Sequence, residues 1–495
     1  MTYSGLIAFI SGLVSVSFGL IFTLTVTRRL LPEEYGTLGL LLSIVNYLLI
    51  SEVIISFWST RQIARNENIG KSSIFSSLLL SIFILPLFLG YIFLISNNSQ
   101  AEFNILLLGI FLIPLHFFSQ SLTAINMGHK PHVTSYTQIV FQIIKIPIAL
   151  ITVFLFDLSI LGVILAIAIA FIGKISVQLY YSKNKLNNKF SFQQLKRWIK
   201  LSWIPLFGHL QNYLQLADIA LYSLITGSVI GIAFYNAAFA IGTIVSQSGS
   251  LTQALYPKLL ANKTFDGMAK NLDHVLYFGI LMTGISIIFS KPAIFALNPL
   301  YQDAWPIAIV ISLKLFLQAL RTIPVYITSG VEQIDTENNP KFSQLIKSNL
   351  FKIPKFLAIF NFSYLIILVA LLLSFKNSNL QELDLVFWWS IIGLVIEIPI
   401  SAFLWIYSRR YVKLSLPIKS LLKYMAGLSA SFAFFYFTSD LILNYDKSIY
   451  NFLPTLLLEL TLCIGVYIGI TYLINKETRQ LLKLIFSEIK KFSIK

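Results

Sequence analysis

The chain has 495 residues, of which 56% are hydrophobic and only 12% charged, with a mean hydropathy of +0.78; a soluble domain carries about 25% charged residues, so an ordinary water-soluble globule is excluded. The formal net charge of +16 would suggest nucleic acid in a soluble protein, but in a lipid-solvated chain basic loops also set membrane orientation. A single cysteine, Cys463, rules out an internal disulfide and any CxxC metal or redox motif, and five histidines are too few for a His-rich centre, so neither a metal site nor a cofactor is expected.

Leu6 to Val26 is the first apolar run. It follows no basic segment and is longer than a signal-peptide core, so it is predicted to be a retained span. A span needs about 20 mostly apolar residues. Six are predicted near 6–27, 36–57, 73–95, 104–125, 134–156 and 158–181, and six more near 201–225, 229–257, 275–298, 304–330, 356–375 and 385–407. Two others follow near 420–440 and 453–474. The runs are continuous and rich in Leu, Ile and Phe, not alternating, which predicts helices and excludes a membrane β-barrel.

Alternate loops differ sharply in charge. With the N-terminus inside, the inner segments hold 27 Lys and Arg and the outer ones hold 4, namely Arg28, Arg29, Lys376 and Lys447. One missed helix would invert every later loop, so this asymmetry predicts an even span count with both termini cytoplasmic. It also removes the case for nucleic acid as a partner. The outer loops are too short for a folded domain. The basic tail places Leu481, Leu482, Leu484, Ile485, Ile489 and Phe492 among lysines, which predicts an amphipathic helix on the inner leaflet.

Together these features predict an all-α polytopic membrane protein of about 14 transmembrane helices, with two six-helix lobes around a central cavity plus two C-terminal helices. The divisions are 1–181 for the N-lobe, 182–200 for a cytoplasmic basic linker, 201–407 for the C-lobe, 408–474 for the last two spans and 475–495 for the tail. Weak internal symmetry supports the lobes. The second span opens Tyr35-Gly36-Thr37-Leu38-Gly39 and the eighth Phe234-Tyr235-Asn236-Ala237-Ala238, as in transporters built from parallel repeats. Prolines at 86, 114, 147, 205, 306, 324 and 399 lie inside spans, where each removes a helix hydrogen bond and suits a helix that bends during rocking.

Six bases lie within the spans: Lys145, Lys174, Lys291, Lys314, Arg321 and Lys423. Lys423 is near an edge and snorkels; Lys291 lies near the outer face. A charge at the bilayer centre costs about 2.5–3.5 kcal/mol on insertion scales, so the others face protein or water. Lys314 and Arg321 are seven residues apart and share one helix face. Four acids, Glu52, Asp218, Glu397 and Glu459, also lie within spans. Either acids and bases pair to lock the bundle, or the surplus base lines a cavity for an anion such as phosphate, which Arg binds bidentately. The seventh span carries His209, Gln211, Asn212, Gln215, Asp218 and Tyr222, and the eighth Ser246, Gln247, Ser248, Ser250, Thr252 and Gln253. Such groups suit a wet cavity for sugars, or else interhelical hydrogen bonds.

These two spans carry a resemblance. Leu216-Ala217-Asp218-Ile219-Ala220-Leu221, then Thr226-Gly227-Ser228-Val229-Ile230-Gly231-Ile232-Ala233-Phe234-Tyr235-Asn236-Ala237-Ala238, then Ala254-Leu255-Tyr256-Pro257-Lys258-Leu259 resemble the polysaccharide transporter family. That family includes O-antigen-type flippases and sits in the multidrug/oligosaccharidyl-lipid/polysaccharide superfamily. Arg29-Leu30-Leu31-Pro32-Glu33-Glu34-Tyr35-Gly36, Tyr301-Gln302-Asp303-Ala304-Trp305 and Gly128-His129-Lys130 are similar to its first hairpin and loops. The likeness covers about twelve spans; the basic tenth span and the long loop after it depart from the pattern.

The resemblance implies translocation of a polyprenyl-pyrophosphate-linked oligosaccharide from the inner to the outer leaflet of the cell membrane by alternating access. Membrane lipid and polysaccharide assembly proteins are the implied partners. Arg28, Arg29, Lys145, Lys174, Lys314 and Arg321 are then expected to contact pyrophosphate or acidic sugar. Asp218, Glu397 and Glu52 are expected to carry a coupling proton or sodium ion, since a carboxyl in a low-dielectric site can take up a proton near neutral pH. No P-loop occurs, so direct ATP use is not expected. Two alternatives stand beside this reading. An ion-coupled small-molecule exporter of the same superfamily would want an acidic cavity for cationic drugs. A membrane glycosyltransferase or polymerase would want a large catalytic loop, and no Asp-x-Asp occurs.

Overall fold

The computed structural model describes residues 3–252, 267–330, 347–375 and 381–492. Tyr256-Pro257-Lys258, Gln253, Lys376 and most of the loop between the tenth and eleventh spans lie outside the described residues, as do the side chains of Ile485, Ile489 and Phe492. Among the described residues there are helices and no strand. In chain order they are α1 (Tyr3–Thr27), α2 (Pro32–Leu49), α3 (Val53–Ala64), α4 (Gly70–Asn98), α5 (Phe103–Leu107), α6 (Gly109–His129), α7 (His132–Ala149) and α8 (Ser159–Ser182). There follow α9 (Phe192–Lys200), α10 (Trp203–Gly208), α11 (Leu210–Thr226), α12 (Ile230–Ser246), α13 (Met268–Ile288), α14 (Ser290–Leu297) and α15 (Trp305–Gly330). The last are α16 (Asn349–Phe375), α17 (Glu382–Ser408), α18 (Ile418–Ile442), α19 (Ile449–Ile474) and α20 (Lys476–Phe492), the helix of the basic tail.

Among the described residues thirteen helical segments are long and apolar enough to cross a membrane. Large apolar side chains such as Phe83, Leu87, Phe111, Leu155, Phe437 and Leu441 stand exposed on them, as lipid-facing residues do. The protein is a multi-pass membrane protein.

The expected seventh span is the one that misses this standard, because it is broken. Its residues form α10 and α11, joined at His209. Gly208 is a weak helix former. The His209 ring shares a hydrogen bond with the Asn212 side chain at 3.3 Å, a local bond that competes with a continuous ladder. Two other spans change pitch. A 3₁₀ turn, Ile50–Glu52, separates α2 from α3. After Pro147 the chain widens into a π turn over Leu150–Leu155, one of the usual answers to a proline in a helix. By contrast α4, α6, α15 and α17 continue past Pro86, Pro114, Pro324 and Pro399.

The chain forms two compact units, each joining distant stretches. One comprises Val14–Asn236 with Ile334–Ile392; the other comprises Met1–Leu13, Ala237–Gln333 and Gly393–Lys495. In the second, buried Tyr277, Tyr424 and Tyr467 form an aromatic cluster. Tyr424 donates to Asp273 Oδ2 at 2.9 Å, and Tyr467 to the Tyr277 carbonyl at 3.0 Å. There α18 and α19 pack as a hairpin, with the Ser431 hydroxyl on the Cys463 carbonyl at 2.9 Å.

In the first unit, α2 meets the start of α12 through two glycines. A Cβ added at Gly36 would lie 2.0 Å from the Val229 carbonyl oxygen, and one at Gly39 would lie 2.0 Å from Asn236 Nδ2. The segments whose sequences echo each other therefore touch. Gly36→Ala has to move backbone, and overpacking of this kind costs about 1–3 kcal/mol. It is expected to lower the melting temperature in detergent. Gly19→Ala, with nothing within 4 Å of the added atom, is expected to leave it unchanged; equal melting of both variants would remove the close contact.

Candidate functional site

The intramembrane lysines come first. Lys145 stands on α7 one turn beyond Phe141, and Lys174 stands on α8 three residues beyond Phe171, so each lysine lies over a ring of its own helix. The Lys145 ammonium is 5.2 Å from the Phe141 ring centre and 4.0 Å from that of Phe22 on α1. The Lys174 ammonium is 6.0 Å from Phe141 and 5.9 Å from Phe171. Phe141 and Phe171 are themselves 4.8 Å apart, and the His116 ring of α6 lies 4.1 Å from Phe171. Lys145 is only 8% exposed. Among the described residues neither ammonium has a carboxylate within ion-pair distance. Aromatic faces hold a cation by about 0.5–2 kcal/mol, less than a buried counter-ion would.

Arg28 and Arg29 follow the end of α1. Arg29 is exposed, with its guanidinium 4.2 Å from the Phe154 ring centre. Arg28 is half-buried, and burial draws its pKa below the ordinary arginine value, from so high a start that the charge persists. Phe22 lies on α1 and Arg29 two residues past its end, so both cation–ring contacts involve the C-terminal part of this segment.

Lys314 and Arg321 take a different setting, in the second unit. Arg321 Nε lies 3.1 Å from Glu397 Oε1, with the two side chains 13% and 2% exposed. Gln318 Nε2 donates to the other carboxylate oxygen at 3.1 Å, and the Ser401 hydroxyl donates to Oε1 at 3.2 Å. The remaining enclosed nitrogen, Arg321 Nη1, has no partner among the described residues. The Lys314 ammonium occupies the space that a side chain at Gly393, one turn before Glu397, would need; a Cβ there would stand 3.0 Å from it. Arg321 and Glu397, to which the sequence assigns separate tasks, are thus each other's partners.

Asp218 of α11 is buried in the first unit. The Tyr364 hydroxyl donates to its Oδ2 at 2.8 Å, and Trp389 Nε1 donates to that hydroxyl at 2.7 Å. Tyr235 and Tyr222 stack on Trp389 at 4.2 and 5.2 Å. At the mouth of this layer Glu382 accepts from the Ser228 hydroxyl at 2.6 Å and the Gly231 amide at 2.7 Å, just past Gly227, whose φ of +75° ends α11. Sequence reasoning missed Tyr364 and Trp389. Their one signal is a polar tip on an aromatic within an apolar run, which needs a partner when buried.

Glu52 sits in the 3₁₀ turn between α2 and α3, fully enclosed. The Ser77 hydroxyl lies 3.2 Å from its Oε1 and 2.9 Å from the Phe117 carbonyl. Its Oε2 has no hydrogen-bond partner among the described residues. Beside it Ser73 links Ser59 and Ser121 at 2.7 and 3.0 Å. The carboxyl thus has a hydroxyl-rich lining, with no base within ion-pair distance among the described residues. Among the described residues no group of three or more His, Cys, Asp or Glu could hold a metal ion.

The first unit therefore holds Arg28, Arg29, Lys145, Lys174, Glu52 and Asp218, and the second holds Lys314, Arg321 and Glu397. Residues 3–261 match the family model described as polysaccharide biosynthesis protein. No curated protein sequence matches the chain. Among solved structures, the lipid II flippase MurJ in an inward closed conformation aligns with a TM-score of 0.63 at 17% identity, over 96% of this chain and 100% of that one. A multidrug resistance MATE family transporter of the MOP superfamily aligns in its inward-facing conformation with a TM-score of 0.56 at 14% identity, over 81% and 96% of the two chains. An outward-facing structure of a transporter so described gives 0.51 at 16%, over 83% and 95%. At these identities the likeness is one of fold.

Proposed function

We propose, since this chain belongs to the polysaccharide biosynthesis protein family, that it is a flippase carrying a polyprenyl-pyrophosphate-linked oligosaccharide from the inner to the outer leaflet of the cell membrane. The observation that carries the reading is the aromatic nest around Lys145 and Lys174, two intramembrane cations without a carboxylate partner among the described residues. Intramembrane charge is costly, and it marks a pathway when the bundle does not answer it. Pyrophosphate is the anion that a lipid-linked glycan brings into the bilayer. Arg29, over Phe154, and Arg28 lie just past the end of α1 and receive the same group as it moves.

Charge in the second unit has another task in this reading. Arg321 and Glu397 hold α15 to α17, and Lys314 stays at the edge of that contact. Coupling to a proton or sodium ion falls to Asp218 and Glu52, two buried acids of the first unit. The orientation follows the loop charges, with both termini in the cytoplasm.

The test uses purified protein in liposomes that contain a fluorescent polyprenyl-pyrophosphate oligosaccharide. A membrane-impermeant glycan-modifying enzyme reports how much substrate has reached the outer face. Protein-dependent exposure above that of empty liposomes is the expected result. No exposure with several glycans, under imposed proton and sodium gradients, together with export of a small cationic dye would replace the flippase by the small-molecule exporter.

A further inference from the structure

The short helix α9 is amphipathic in an unusual place, immediately before the broken seventh span. Its buried side, Leu195 and Trp198, is pinned to the bundle. Trp198 Nε1 and Gln194 Nε2 both donate to Gln62 Oε1 of α3, at 3.1 and 2.7 Å. Its free side presents Lys196, Arg197 and Lys200 together with Phe192, 65% exposed, and Ile199, 56% exposed. Bases interleaved with exposed apolar groups suit the boundary between lipid headgroups and acyl chains. The loop charges place this helix at the inner leaflet.

Three residues beyond Lys200 a groove begins. It runs along α10 and α11 past the break at His209, with Tyr47 of α2 as its far wall. Trp203, Phe207, Leu210, Tyr213 and Leu214 line it, and its volume is about 570 Å³, within the range of about 300–1,000 Å³ typical of ligand sites. The Tyr47 and Tyr213 rings meet edge to face at 5.8 Å, which keeps the cleft from collapsing. The lining residues of α10 and α11 recur every three or four positions, so both helices turn the same apolar face toward Tyr47 across the break. Across three residues the chain spans at most about 11 Å, so the cationic edge of α9 and the apolar groove are within reach of one amphiphile.

We infer that α9 and the groove form a loading site on the inner leaflet for a polyprenyl pyrophosphate, with the diphosphate on Lys196, Arg197 and Lys200 and the first isoprene units in the groove. This rests on the flippase reading and adds the place where substrate is captured before it reaches Lys145 and Lys174. Charge complementarity selects an anionic headgroup. An aromatic, laterally open cleft suits a branched isoprenoid chain, whose methyl groups fill the spaces between rings.

The experiment uses full-length protein in liposomes and a polyprenyl pyrophosphate bearing a diazirine in its first isoprene units. Crosslinked peptides are mapped by mass spectrometry, and flipping is measured on the same preparation. Label is expected within residues 203–217. It should fall about fivefold for each α9 base changed to Ala, the effect of one charge near an anionic headgroup, while Lys183→Ala leaves it unchanged. Leu210→Trp, which fills the groove, should remove the label; the exposed α9 variants keep the test valid if that protein fails to fold. Label found elsewhere while the protein still flips substrate overturns the loading site and leaves the flippase reading standing. Clearance of the label by excess phosphatidylglycerol also overturns it, and makes the groove a phospholipid site. Label within 203–217 in a protein that flips nothing upholds the binding site and removes the flippase reading.

Discussion

Replacing Arg321 with alanine is expected to destabilise the protein by about 3–5 kcal/mol, the cost of leaving one charge of a buried pair unanswered. Glu397 is 2% exposed and, among the described residues, would keep Gln318 and Ser401 as neutral donors. Hydrogen bonds from neutral groups do not replace a guanidinium in a low-dielectric setting. The double variant Arg321→Met with Glu397→Leu removes both charges and keeps the volume, so it is expected to recover most of the loss. Unfolding followed in detergent, by heat or by added SDS, measures both. A single variant as stable as wild type would mean that the carboxylate is solvated, and Arg321 would return to the candidates for substrate contact.

The opposite pattern is expected at Lys145 and Lys174. Changing both to methionine removes one buried and one half-buried charge that no carboxylate neutralises among the described residues, so folding stability should be kept or rise. Flipping should fall by about a hundredfold or more. Each charge-assisted bond to pyrophosphate contributes about 1.5–3 kcal/mol, and every 1.4 kcal/mol is a factor of ten. The two readouts separate the roles, since a lysine that merely braces the bundle would lose stability and transport together. Full transport by the stable double variant would move the anion site away from the nest.

What the sequence made legible follows from what each signal measures. A run of 20 apolar residues is a property of one stretch of chain, so the positions of most spans could be read directly. Proline in the seventh span was visible too, but its effect was not, because Pro86 and Pro114 sit in helices that continue. The break at His209 needed the added weakness of Gly208 and a side chain that bonds locally. The shared face of Lys314 and Arg321 also follows from helix periodicity, and both side chains do face α17. That Glu397 waits there does not follow, since nothing local to either helix specifies a partner some 76 residues on. The same limit hid Phe22 behind Lys145 and Tyr364 behind Asp218. Phe141 and Phe171, at helical spacing from the lysines, were available to a closer reading.

A carrier that releases its cargo must come back empty, and the lysine nest bears on that return stroke. Two bare cations in lipid would seize any passing counter-ion or stall the protein in whichever state wets them. Ring faces at 4.0 to 6.0 Å give each ammonium a weak resident partner that travels with the protein. On the proposed flippase reading the unloaded form is thereby tolerable, and a diphosphate is expected to outcompete the rings when it arrives. Stronger neutralisation would make the empty state comfortable and the cargo unwelcome; none at all would leave the carrier poisoned by chloride.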